Sequence, residues 1–178
     1  MNAFLSMAWR LVSFRAGPES LPYQPRMVPV LLLFNLLLSV AVQQLADADK
    51  VQSVLLLSAL SLAVEAFWLA FLLLRRGWRN RWVQTYSALV LVDMVITVLA
   101  APMVLAVRQA GDALLVVAVL VQFVMSLWSI AARGAIYQRC LECGRWRGLM
   151  LALAPLFLTM LITLQLFPGL LPALPQGS

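Results

Sequence analysis

Two apolar blocks flank a basic knot in the stretch LSLAVEAFWLAFLLLRRGWRNRWVQTYSALVLVDMVITVL, residues 60–99, and each block contains one carboxylic acid, Glu65 and Asp93. Paired acids in apolar surroundings can relay a proton, hold a cation or small polar solute, or act as hydrogen-bond glue between segments. Glu65 stands about thirteen residues before the turn at Gly77 and Trp78, and Asp93 about fifteen after it. In a helical hairpin rising 1.5 Å per residue, the two acids would therefore share a depth of roughly 15 Å. No lysine or arginine falls at that depth on this count. Desolvation and mutual repulsion should then leave at least one acid protonated near neutral pH, able to donate to its neighbour, to Gln122 or to Asn35.

Other segments carry polar residues at a similar level, which defines an expected mid-membrane layer of Asn35, Glu65, Asp93, Gln122 and Thr159. Helical spacing extends the layer into stripes: Asn35 and Ser39; Ser58, Ser61 and Glu65; Tyr86, Asp93 and Thr97; Gln122, Ser126, Ser129 and Arg133; Thr159 and Thr163. Each stripe is expected to face the bundle interior, because a polar group at mid-membrane carries a penalty that inward pairing relieves. Glue and relay both remain open readings. Ala59, Ala63, Ala66 and Ala70 recur beside the Glu65 stripe and would allow close helix approach.

Cys140 and Cys143, in the motif CLECG, form the second candidate pair. A structural zinc site takes four ligands, and a chain with two cysteines and no histidine cannot complete one alone. An incidental thiol pair, a redox pair and a metal site shared between subunits stay as alternatives. Without histidine there is no His-based triad or zinc-protease motif, and no phosphate-cradling glycine loop or nucleophile elbow is present. No catalytic residues, cofactor or metal within one chain are expected, and the chain reads as a non-enzyme.

The elements that must position these residues follow from composition. Of 178 residues, 63% are hydrophobic and 11% charged, with a mean hydropathy of +0.94. That is far more apolar than a soluble domain, and it predicts an all-α polytopic membrane protein. Near-continuous apolar windows place five spans at about 27–46, 51–74, 83–107, 113–133 and 149–167. Each must be a helix, because backbone amides in hydrocarbon need partners within their own segment. Pro155 punctuates the last span and Pro168 is its expected stop.

Arginine placement orients the bundle. Arg10, Arg15 and Arg26 precede the first span, Arg75, Arg76, Arg79 and Arg81 fill the loop after the second, and Arg133, Arg139, Arg145 and Arg147 follow the fourth. The opposite loops hold only Lys50 and Arg108. The N-terminus is therefore expected in the cytoplasm and the C-terminus on the periplasmic or external side of a bacterial inner membrane. This asymmetry accounts for the net charge of +6, so nucleic acid is not an expected partner. Membrane lipids are, and a protein partner or a homo-oligomer fits the same surface.

Residues 1–15 place Asn2, Ser6, Arg10 and Ser13 on one narrow polar stripe, which predicts an interfacial amphipathic helix. Arg10 interrupts the apolar run that a cleaved signal would need. Gly17, Pro18, Pro22, Pro25 and Pro29 then rule out a continuous helix and predict an extended connector. The expected organisation is a helix and connector over 1–26, the five-helix domain over 27–170 and a short external tail over 171–178.

The close of the fourth span at LWSIAARGAIYQRC and the basic loop RWRG leading into the fifth, in a five-span frame, resemble the Yip family of small membrane proteins. The resemblance covers residues 27–167 as a topology and Trp128, Arg133 and Arg147 as individual residues. It implies an integral scaffold or partner-binding protein, the eukaryotic members acting in membrane trafficking. The reading of the residues beside it keeps a small proton-coupled carrier or channel built on Glu65 and Asp93 as the alternative.

Overall fold

A computed structural model of the chain describes residues 2–46, 51–110 and 115–166. The expected stop at Pro168 and the tail over 171–178 lie outside the described residues. Those described form six helices, α1 (Asn2–Val12), α2 (Met27–Ala46), α3 (Val51–Arg76), α4 (Trp82–Ala110), α5 (Leu115–Cys140) and α6 (Arg145–Leu166), with short 3-10 turns at Pro18–Ser20 and Arg79–Arg81 and no strand among them. From α2 to α6 each helix is long and apolar enough to cross a membrane.

Their apolar side chains face outward as well as inward, with Phe67, Phe123 and Phe157 all exposed on the perimeter. Hydrophobicity alone therefore does not tell these helices which side is inside. Close packing and polar contacts must. Helix α4 lies at the centre and packs against α1, α2, α3 and α5. Every residue from Thr85 to Val92 is buried, so more than two turns of α4 are enclosed on all sides.

Two local devices seat α6. Pro155 sits inside the helix, and its missing N–H frees the carbonyl of Leu151 one turn earlier. The indole of Trp68 on α3 donates to that carbonyl at 3.0 Å, so a defect that would otherwise break α6 becomes a tie to α3. This is why α6 continues through Pro155. At the start of the same helix, a Cβ on Gly148 would lie 2.5 Å from the carbonyl oxygen of Gly134, so α5 and α6 touch backbone to backbone.

Two boundaries differ from the sequence reading. Helix α5 runs to Cys140, well past Arg133, and α6 begins at Arg145. Hydropathy falls at Arg133, but helix geometry does not stop where hydropathy falls. α5 ends where Glu142 enters the left-handed region at φ 48° and Cys143 donates back to the carbonyl of Gln138 at 3.1 Å. Helix α3 ends in the same hydrogen-bond pattern with Gly77 at φ 72° and Trp78 bonded to Leu73 at 2.9 Å. Gly77 takes that conformation without steric cost; Glu142 does not.

The arginine-bearing connections converge on one end of the bundle. Arg76 donates to the carbonyl of Leu141 at 2.8 Å, and Arg81 to that of Cys140 at 3.0 Å and to Glu142 at 2.8 Å. Both cations thereby satisfy carbonyls that the end of α5 leaves free and complement its dipole. Arg139 donates to Phe14 at 2.9 Å and Gln84 to Leu21 at 2.7 Å, so the connector after α1 lies over the same end. Helix α1 is docked as well. Its Leu11 and Val12 are buried, and the Trp128 indole on α5 donates to the Val12 carbonyl at 3.0 Å.

Gly148→Ala should force α5 and α6 apart and cost about 1–3 kcal/mol, while Gly144→Ala, with open space around its Cβ position, should be neutral. Thermal unfolding of the purified chain in detergent micelles reads both.

Candidate functional site

The polar centre is built from three helices. Glu65 projects from α3, Asp93 from α4 and Arg133 from α5. Arg133 Nη1 donates to Glu65 Oε1 at 2.8 Å, and Arg133 Nη2 donates to Asp93 Oδ1. One guanidinium thus joins both acids. The expectation that no cation reaches them is overturned.

The reason is local geometry. Arg133 stands seven residues before the end of α5 at Cys140, which is about 10 Å along the axis. Side chains of a helix tilt toward its N-terminus, and the N-terminal direction of α5 leads away from the arginine-rich end. The long side chain of Arg133 therefore reaches inward, opposite to the outward snorkelling usual for a cation near a helix end. The sequence reading sets this arginine at the end of its span, on the inward stripe but away from the depth of the acids; the longer helix and the direction of its side chain place it among them.

Burial around the group is uneven. Glu65 is 1% exposed and the Arg133 side chain 8%, whereas the Asp93 side chain retains 21%. Asp93 borders a cavity of about 180 Å³ that it shares with Asn35, Ser39, Ser58, Ser61 and Thr97. These residues lie on α2, α3 and α4, on the side of the acids away from the arginine-rich end. On the other side Tyr86 packs beneath Glu65 and donates to the Leu62 carbonyl at 2.8 Å. Its ring stacks on Trp82 at 5.0 Å between centroids, and the Trp82 indole donates to Ala66 at 3.3 Å.

The remaining members of the expected layer separate. Asn35 is buried beside the cavity, whereas Gln122 and Ser126 are exposed on the outer side of α5, where the Ser126 hydroxyl donates to the Gln122 carbonyl at 2.8 Å. Gln122 therefore does not join the acids: α5 continues to Cys140, which sets Gln122 eighteen residues, about 27 Å, from that end and three turns beyond Arg133, on an exposed stretch of the helix. Thr159 is partly buried, with a hydroxyl that has no hydrogen-bond partner, and Thr163 is buried one turn further on α6. The alanine stripe divides too: Ala66 packs against the core, while Ala59 and Ala63 are exposed.

Two buried polar atoms near the clamp, Arg133 Nε and the Tyr137 hydroxyl, have no hydrogen-bond partner among the described residues. Tyr137 follows Arg133 by one turn of α5, a spacing legible in the sequence, but an apolar run with one tyrosine carries no signal that its hydroxyl is buried.

Cys140 and Cys143 are free thiols. Cys140 is buried, with its sulfur 3.0 Å from the Thr85 hydroxyl, and Cys143 is partly exposed near the Tyr137 carbonyl. Among the described residues no group of three or more Cys, Asp or Glu side chains is arranged to hold a metal ion. The arrangement offers a shared ion pair and a small polar cavity.

Removing the cation should be worse than removing the whole group. Arg133→Met strands two carboxylates in an apolar interior and should cost about 3–5 kcal/mol, whereas adding Glu65→Gln and Asp93→Asn to it should recover most of that loss. Tyr86→Phe should cost about 1 kcal/mol and Tyr137→Phe nothing, since only the first hydroxyl has a partner. Denaturant titrations in micelles measure all four. Comparison with family models, with curated proteins and with solved structures finds no match for this chain, so its functional reading rests on the geometry above.

Proposed function

We propose that this chain is a non-enzymatic, multi-pass protein of the bacterial inner membrane that acts as a scaffold or partner-binding subunit. The observation that carries the reading is Arg133, which engages Glu65 and Asp93 together and ties α3, α4 and α5 into one body. Acids held in this way are parts of a clamp, and a clamped bundle presents a constant outer surface. That surface is apolar, with exposed Phe67, Phe123, Phe157 and Leu166, as suits contact with lipid tails or with another membrane helix. The N-terminus is cytoplasmic on this reading, because the arginine-bearing connections gather at one end of the bundle. The likeness to the Yip family belongs to the same proposal. Two residues that carry the likeness have interior tasks here, Trp128 holding α1 and Arg133 holding the acids.

A second reading, a small proton-coupled carrier, is favoured by one observation: Asp93 borders a polar cavity instead of being sealed like Glu65.

Reconstitution into sealed lipid vesicles separates the two. For a scaffold, the parent protein dissipates an imposed pH gradient no faster than protein-free vesicles, and Glu65→Gln with Asp93→Asn alters stability alone. Rapid dissipation by the parent, abolished in a double variant that still folds, would establish the carrier instead. Orientation is read by a reporter enzyme fused after Ser178 that matures only outside the cytoplasm; it should be active.

A further inference from the structure

The clamp sets two carboxyl groups against one guanidinium. With both acids ionised the three would sum to −1, in an interior where an uncompensated charge costs several kcal/mol, so a bound cation or a proton must balance the second acid. Beside the less buried acid lies the cavity of about 180 Å³, and its polar side chains are unusual in what they do not do. Serine and threonine within helices commonly donate to a carbonyl one turn back, as Ser39 does to Asn35 at 3.0 Å. Ser58, Ser61 and Thr97 make no such bond, and the side-chain amide of Asn35, a residue only 5% exposed, has no partner among the described residues. Four side chains with unused hydrogen-bonding capacity thus converge with a carboxylate on one small volume. Asn35 is buried and the other three are partly buried, and polar groups withdrawn from water are nearly always satisfied, so their convergence points to a polar occupant.

We propose that this cavity binds a monovalent cation of the sodium class. Hard cations take oxygen ligands, and Asn35, Ser39, Ser58, Ser61, Asp93 and Thr97 supply carbonyl, hydroxyl and carboxylate oxygens from α2, α3 and α4. A single positive charge brings the clamp to neutrality, whereas a divalent ion would reverse its sign. The volume is enough for one ion with part of its hydration shell, and its polar lining suits a hydrated ion better than an apolar molecule. The occupant would complete the polar centre by linking α2 to the three helices that Arg133 already joins. This binding does not rest on the scaffold reading, because a bound ion can be structural or transported.

The test uses the full chain in detergent micelles at constant ionic strength, with sodium chloride replacing choline chloride. The thermal midpoint should rise saturably with sodium, as expected of a ligand that binds only the folded state. Ser61→Ala with Thr97→Val leaves the clamp intact and should weaken the apparent sodium affinity at least tenfold, and Asp93→Asn should abolish the response. Should the double substitution not fold, Ser61→Ala alone is read by the same affinity criterion. Identical midpoints in sodium and choline overturn the proposal. So does an undiminished response in the serine and threonine variants, which would put the ion elsewhere. A midpoint that follows pH but not sodium assigns the missing charge to a proton and overturns it as well. Vesicle flux measurements are independent of all these outcomes.

Discussion

A guanidinium shared by two carboxylates costs a great deal to bring into an apolar interior, and that cost organises this bundle. Each ion loses its water, and the loss is repaid only when Arg133 reaches Glu65 and Asp93 together. An arrangement that separates them leaves at least one buried charge unpaired. Apolar packing cannot discriminate in this way, because helices that are apolar all round can be rotated about their axes with little change in what they bury. The ion pairs therefore choose the rotation of α3, α4 and α5, and neighbouring side chains hold what has been chosen.

The supporting contacts share a logic. In an apolar setting each N–H donor needs an acceptor, and the acceptors within reach are backbone carbonyls of the next helix. Trp68, Trp82 and Trp128 each donate to such a carbonyl, on α6, α3 and α1 respectively. The Trp68 contact also compensates for the hydrogen bond that Pro155 removes. At the arginine-rich end, Arg76 and Arg81 perform the same service for the last carbonyls of α5. Residues whose number and placement read as an orientation signal thus also fasten the connections to the bundle.

On the far side of the clamp the logic is incomplete. Asp93 opens onto a cavity in which the side chains of Asn35, Ser58, Ser61 and Thr97 have no partner among the described residues, so the polar centre has one sealed flank and one open one. This asymmetry separates the two acids that the sequence presents as a matched pair. Glu65 is sealed against Arg133, whereas Asp93 faces both the clamp and the cavity.

Five long apolar helices, a helical segment before them and the shared level of Glu65 and Asp93 were legible in the sequence; the docking of the first segment on the bundle was not. Hydrophobic length, arginine spacing and a count of rise per residue are local quantities, and they need no knowledge of neighbours. The partner of the acids was not legible. Arg133 sits where hydropathy falls, and only the continuation of α5 to Cys140 and the tilt of its side chain carry the charge inward. Gln122 fails for a related reason: it shares a face with Arg133, eleven residues or about three turns away, but with α5 running to Cys140 it lies about 16 Å further from the arginine-rich end than Arg133, where α5 is exposed. The face a residue occupies is written in the spacing of the sequence, whereas its depth depends on where the helix ends, and α5 ends where Arg76 and Arg81 from other elements take up its last carbonyls, which is a property of the tertiary structure.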